Sequence, residues 1–554
     1  MKSLKKYIFA GVALTLMASC SDFLDTLPSD ALTPETTWKT EQDAQKFLIG
    51  CYDGWEKGEE LLYMDCASDF GYNNFQWEGY KDFGNGTLSQ ANPGTNFYDY
   101  TIIRRCNTLL ENIDKIAFSD EKVKKDLIAQ ARVIRAYRYF KMNWLYGGVA
   151  QIGNYGSAQE AQVERATEAQ IREFIHTELD ECTSDLSEKP AARGRIAQGA
   201  ALAIRMREAL YYGDWQVAKE KAQAIIDLSK KNGNLYELEK GADGYSRLFQ
   251  VAGQDSKEII LAVQYINSTK PLGVIGQMYN NGDGGWSSIV PTYQLIDTYE
   301  MKSGLTITES GSGYDPAHPF KNRDPRLALT VIYPGADYIK ADGTKAVFNT
   351  LDKTVDGSAN ANFMTAADNA SKTGLTWNKY LGPITQYADI WKSNACPIVF
   401  RYAEVLLTWA EAENELNGPS EDVYAKIDEV RTRVGMPKVD RNKYNSKETL
   451  RELIWRERGV EFAGEGIRRA DILRWKTSDG KMLAEKVLNV TLERRVGTVD
   501  MKGSDPESRA TIKQDASAAD KKIEDRKFEK KNRYFPFGQE VLDKNPKLTQ
   551  NEGY

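Results

Sequence analysis

A pair of helical runs joined by four residues constrains this fold more than any other stretch of the chain. Ile196 to Tyr212 and Val217 to Leu228 both read as helices, and Gly213-Asp214-Trp215 between them is a tight turn. A link this short forces the two helices antiparallel and side by side. Ala218, three residues after the aromatic, is small enough for a neighbouring helix to come close. The same texture recurs elsewhere. Ala131 to Tyr146 sets Val133, Tyr137, Phe140 and Trp144 on one stripe, which reads as core. A helix from about Val399 to Leu416 breaks at Asn417-Gly418 and returns from Val423 to Val434, where Pro437 stops the pair. Leu450 to Phe462 is another helix.

These hairpins resemble tetratricopeptide units, but they are too far apart in sequence for one uninterrupted solenoid. Between about 235 and 395 Gly, Asn, Ser and Asp become frequent, and only short strand-like runs appear, such as Ile259 to Val263 and Leu329 to Ile332. The expected fold is therefore mainly α. A helical scaffold over about 41–234 and 396–554 carries a large loop-rich insertion with short strands over about 235–395, all in one domain from 41 to 554. Binding residues tend to lie on loops held by rigid elements, so the insertion is where a ligand site is expected. The polar, charged stretch 495–530 reads as an exposed excursion, mobile in part.

The start of the chain carries a separate message. Lys2, Lys5 and Lys6 precede an apolar run from Tyr7 to Met17, and Leu16-Met17-Ala18-Ser19-Cys20 closes on small residues and a cysteine. That is the layout of a bacterial secretory signal, residues 1–19, ending in a lipobox. The run falls well short of the ~20 apolar residues that span a bilayer. Cleavage before Cys20 leaves a thiol to carry lipid, so the chain is expected to be held at a membrane through Cys20, with residues 20–40 as a tether.

Composition removes several function classes. A net charge of -6, without a basic run, argues against nucleic acid as the partner. Beyond Cys20 the cysteines are Cys51, Cys66, Cys106, Cys182 and Cys396, an odd set whose spacing fits no zinc site; they read as small buried hydrophobes, with room for one bridge at most. The two histidines, His176 and His318, lie in no G-x-S-x-G or H-E-x-x-H context. No cofactor is expected. No complete calcium loop is visible either, although a structural calcium is left open. Gly282-Asp283-Gly284-Gly285 lacks the lysine of a phosphate loop.

Five blocks, in order, give the chain a family likeness: Cys20-Ser21-Asp22-Phe23-Leu24-Asp25 with Pro28; Ala131-Arg132-Val133-Ile134-Arg135-Ala136-Tyr137-Arg138-Tyr139-Phe140 followed by Tyr146-Gly147-Gly148-Val149; Arg401-Tyr402-Ala403-Glu404-Val405 with Ala410-Glu411-Ala412 and Asn417-Gly418; Glu457-Arg458-Gly459-Val460-Glu461-Phe462 through Gly464-Glu465-Gly466 and Arg468-Arg469-Ala470-Asp471 to Arg474-Trp475; and a tail of Tyr534-Phe535-Pro536-Phe537, Asn545-Pro546 and Gln550-Asn551-Glu552-Gly553-Tyr554. Together they resemble the SusD/RagB family of surface lipoproteins that capture nutrients. Glu552 stands where the family commonly has proline, a minor departure. The resemblance implies an α-superhelical scaffold of tetratricopeptide-like pairs. It also implies a lipid-anchored place on the outer membrane facing the exterior, a partner SusC-like TonB-dependent transporter, and a glycan or, less often, peptide ligand bound without catalysis.

Two aromatic clusters lack a helical stripe and interleave rings with amides, which suits a sugar: rings stack on C–H faces and amides bond hydroxyls. One supplies Tyr72, Asn73, Asn74, Trp77 and Tyr80. The other supplies Tyr279 and Trp286, with glycines to expose the indole. The family resemblance supports both regions. Trp377 with Tyr380 is a weaker third. Competing readings are an oligopeptide binder on the same scaffold, a glycosidase built on Glu457 and Glu461, and a pure protein scaffold. The bland reading of the two glutamates is an ion-pair network between helices, with Arg456, Arg458, Arg468 and Arg469 close in sequence.

Overall fold

A computed structural model describes residues 38–554; the leader, Cys20 and most of the tether lie outside the described residues. The longer helices are α1 (Glu41–Tyr52), α2 (Thr101–Asn112), α3 (Glu121–Tyr146), α4 (Glu168–Cys182), α5 (Gln198–Tyr212), α6 (Trp215–Lys231), α7 (Tyr402–Asn417), α8 (Glu421–Thr432), α9 (Lys447–Phe462) and the shorter α10 (Arg468–Arg474). Their ends follow local chemistry. Thr40, Thr167 and Ser446 close capping boxes at the starts of α1, α4 and α9, satisfying backbone N–H groups that have no partner inside the helix. Gly147 and Gly213 end α3 and α5 with φ of 70° and 75°.

Each helix packs on the next: α2 on α3, α3 on α4, α5 on α6, α7 on α8. The interruption in sequence does not interrupt the stack, because α6 lies directly against α7. Ala209, Leu210, Ala218 and Ala412 meet at this seam, all fully buried. The mainly α architecture therefore matches the sequence reading, and the scaffold is continuous in space although its chain is not. Strand 259–262 pairs antiparallel with strand 398–401, which brings the two flanks of the loop-rich stretch together. The stripe of Tyr137, Phe140 and Trp144 is core, with each ring at most 7 % exposed.

Two local expectations change. Leu329 to Ile332 is not one strand. Asp324 accepts the Arg326 N–H at 2.9 Å at the start of a short helix, Arg326–Thr330, and only Val331–Ile332 is extended, paired with Thr376–Trp377. The stretch 495–530 is no simple excursion. Strand 497–499 pairs with 510–512, and 491–493 with 522–525, while Arg526 turns inward to donate to the carbonyls of Ser68 and Gly71. The five described cysteines are free and buried.

The tail wraps the end of α3. Phe535 stacks on Phe83 at 4.2 Å, Phe537 stacks on Tyr146 at 5.0 Å, and Asn551 donates to the carbonyls of Tyr146 and Phe535. A Cβ on Gly147 would sit 2.7 Å from the Tyr534 ring. Gly147→Ala is therefore expected to cost more than the ~1–2 kcal/mol of a left-handed non-glycine residue, read as a fall in thermal midpoint. An unchanged midpoint would mean that the tail does not dock rigidly.

Candidate functional site

The ribbon formed by strands 71–73 and 289–291 joins the first segment of the scaffold to the insertion, with Tyr72 opposite Val290. Both aromatic clusters lie where this ribbon ends. A 3₁₀ turn, Gln76–Glu78, lifts Trp77 off the surface and is closed by Gly79 at φ 81°. Asp82, buried, holds the turn from beneath by accepting from Gln76, from Thr87 at 2.5 Å and from Asn92 at 2.8 Å. On the facing loop, Gly285 donates to the Asn280 carbonyl at 2.9 Å and Trp286 to the Gly276 carbonyl at 3.0 Å. Ser287 follows with φ 45°, a conformation L residues seldom adopt.

The result is a run of four rings from three loops. Phe75 lies 5.6 Å from Trp77, Trp77 6.1 Å from Trp286, and Trp286 4.8 Å from Trp391. Trp77 is 68 % exposed and Trp286 36 %. Tryptophans are highly buried on average, so two exposed indoles in edge contact form a surface that a ligand can cover. Trp391 was not anticipated from sequence. It sits against Gly276, where a Cβ would be 2.5 Å from its ring, and a lone Trp among Asp389, Lys392 and Ser393 was the one available hint.

The other anticipated residues are not on that surface. Tyr72, Asn73, Tyr80 and Tyr279 are buried, at 4 %, 1 %, 3 % and 1 % exposure, and Asn74 is nearly so. Tyr72 packs under Val290 and Leu492, while Tyr80 stacks on Tyr63 at 4.3 Å. Asn73 donates to Glu78 at 2.5 Å and to the Ser288 carbonyl at 3.0 Å, and Asn74 donates to the Asp368 carbonyl at 2.6 Å. These amides pin the loops that present the tryptophans. Trp377 and Tyr380 are core as well.

Glu457 and Glu461 sit inside the molecule in an arginine cage. Arg326 reaches both, at 2.5 and 3.0 Å; Arg431 bonds Glu457 at 2.8 Å, Arg401 bonds Glu461 at 2.6 Å, and Arg433 also pairs with Glu461. Burial works to raise both carboxyls, but the arginines prevail and hold them below the usual carboxylate range. No sugar reaches them, which removes the glycosidase reading of this pair. The cage is built by arginines distant in sequence. Those close by are engaged elsewhere: Arg456 with Glu300, Arg458 with Asp471 and Arg468 with Asp69. A cavity of about 90 Å³ lined by Glu56, Lys141 and Trp144 lies within the scaffold and is too small for a saccharide. Among the described residues, no group of three or more His, Cys, Asp or Glu side chains is placed to hold a metal, and no helix is long and apolar enough to cross a membrane.

Comparison with known proteins agrees from several directions. Residues 255–554 match the model described as SusD family, and residues 22–210 match one described as starch-binding associating with outer membrane. SusD-like protein P2 of Formosa agariphila is 26 % identical over 513 residues, covering 85 % of this chain and 91 % of the relative. A SusD-like protein of Bacteroides ovatus is 24 % identical, covering 88 % and 84 %. Among solved structures, a SusD-like carbohydrate binding protein from Bacteroides fragilis superposes with a TM-score of 0.77 at 26 % identity, over 93 % of this chain and 100 % of that one. A laminarin-binding SusD-like protein gives 0.67 at 21 %, over 93 % and 100 %.

Proposed function

Since the chain belongs to the SusD family, we propose that it is a glycan-capturing lipoprotein of the outer membrane, anchored through Cys20, facing the exterior, and passing its ligand to a SusC-like TonB-dependent transporter. The observation that carries this reading is the run of Phe75, Trp77, Trp286 and Trp391, in which Trp77 and Trp286 are exposed and the outer two rings half-buried. Indole faces stack on the C–H faces of sugar rings, and neighbouring rings offer more than one such contact to an oligosaccharide. Relatives described as carbohydrate binding and laminarin binding support a glycan over a peptide. Outer-membrane association follows the description of the second matching model.

The chemistry is capture without bond cleavage. Stacking and hydrogen bonds hold the chain of sugars, and each contact is weak enough for release toward the transporter. Affinity electrophoresis and calorimetry against a panel of plant, microbial and host glycans, with a peptide mixture as a parallel arm, test the reading. Retardation by a glycan that the Trp286→Ala variant loses supports it. Binding only in the peptide arm, or release of reducing ends during incubation, overturns it.

A further inference from the structure

Next to the ribbon that leads into the aromatic run lies a cluster of cations held only by an aromatic ring and backbone carbonyls, none of them closing an ion pair. Lys81 follows Trp77 by four residues, at most ~14 Å of extended chain, and its ammonium lies 5.4 Å from the centre of the Tyr72 ring. Tyr72 packs with Leu492, two residues before Arg494. The Asn74 bond to the Asp368 carbonyl draws in the loop that carries Lys372. Lys372 donates only to the Ala367 carbonyl, at 2.7 Å, and Arg494 only to the carbonyls of Asp520 and Lys522. Carboxylates on the neighbouring ribbon are already taken: Glu493 faces Lys521, Glu524 holds Arg526 at 3.0 Å, and Asp525 holds Lys522 at 2.5 Å. Among the described residues Lys81, Lys372 and Arg494 therefore close no ion pair, in a chain whose net charge is -6, although the charge of Asp368 reaches Lys372 and that of Asp520 reaches Arg494. Burial, then the charges of Arg494 and Lys81 working against Asp368, keep the Lys372 ammonium below the usual lysine range. An arriving anion offsets the burial of the ammonium as well as the repulsion from its neighbours. Arg494 also lines a groove of about 380 Å³ with Tyr293, Tyr314 and Lys513, so the cationic side has depth.

We propose that the glycan taken by this protein is anionic, its carboxylate or sulfate groups held by Lys81, Lys372 and Arg494 while its ring faces stack on Trp77 and Trp286. The inference rests on the glycan reading and adds the charge class of the ligand. Rings and cations then divide the work: the aromatic run reads the sugar face, and the cations read the substituent.

The test compares three ligands in affinity electrophoresis and calorimetry: a neutral β-glucan, a polyuronate and a sulfated galactan. The protein is run beside Lys81→Ala/Lys372→Ala/Arg494→Ala and beside Lys125→Ala/Lys189→Ala/Lys438→Ala, a charge-matched control at exposed lysines away from the cluster. The expected result is preference for the polyuronate or the sulfated galactan. The first triple variant should weaken it about tenfold or more, and the control should leave it unchanged. Raising ionic strength from about 0.01 M to about 1 M cuts the Debye length from ~30 Å to ~3 Å and should weaken the same binding. Which anionic ligand binds separates carboxylate from sulfate. Binding of the neutral glucan alone, or equal losses in both triple variants, overturns the anionic reading and leaves glycan capture standing. Failure to bind any glycan overturns both.

Discussion

Arg401→Ala is expected to give the largest loss of stability of any single change considered. The guanidinium is 1 % exposed. It pairs with Glu258 at 2.8 Å, Glu461 at 2.6 Å and Glu465 at 2.7 Å, and donates to the Glu461 carbonyl at 2.8 Å. Arg401 also ends the strand by which the insertion rejoins the scaffold. Its removal leaves buried carboxylates short of a counter-charge, a defect that costs about 3–5 kcal/mol where it has been measured in other proteins. At about 2.1 cal/mol/K of unfolding entropy per residue, a chain of this length would lose ~3–4 °C of melting temperature.

The sign of the pH dependence follows from the same cage. Glu457, Glu461 and Glu465 are held below their ordinary pKa despite burial. Carboxyls depressed in the folded state contribute stability above the ordinary carboxylate pKa of about 4.5, and that contribution is lost as pH falls. Without Arg401 the carboxyls bind protons more readily, so the variant's deficit should be largest near pH 7–8 and narrow toward pH 4. Scanning calorimetry of both proteins at these pH values checks it. An equal deficit at both would mean that lost packing, not unpaired charge, is the cause.

That cage also marks where sequence stopped being informative. The helix pair around Gly213-Asp214-Trp215 was legible because turn and periodicity are local. The continuity of the scaffold was not, since Ala218 on α6 and Ala412 on α7 meet only after the insertion has left and returned. The glutamates' partners were misplaced for the same reason: Arg326 and Arg401 reach them from the insertion and its closing strand. At the candidate site, the glycines before Trp286 pointed to an exposed loop, and the indole is exposed; Trp77, read from a cluster without a helical stripe, is exposed as well. Tyr72, Tyr80 and Tyr279 carried the same local signal yet are buried, because burial was decided by the pairing of 71–73 with 289–291 and by packing on Tyr63 and Leu492. Trp391 lay too far along the chain to be associated with Gly276.

Trp286→Ala should cost more affinity than any other change at the ring surface, and the reason is position. Trp286 touches Trp77 on one side and Trp391 on the other, whereas Trp77 has Phe75 as its remaining neighbour. Removing Trp286 takes away one stacking face and splits the run in two. Each lost ring is worth about 0.5–1.5 kcal/mol beyond the area it covers. Covered apolar area adds about 25 cal/mol per Å². A total near 2–3 kcal/mol corresponds to roughly 30–150-fold in Kd. Trp77→Ala should lose about tenfold and keep the parent melting temperature, because its indole is 68 % exposed. Trp377→Ala should behave in the opposite way, lowering stability through a core cavity, since that ring is 1 % exposed. Calorimetric titration with the bound glycan, beside thermal unfolding of each variant, separates the cases. If Trp286→Ala binds as tightly as the parent while remaining folded, the exposed rings are not where the sugar sits, and the search moves to the groove beside Arg494.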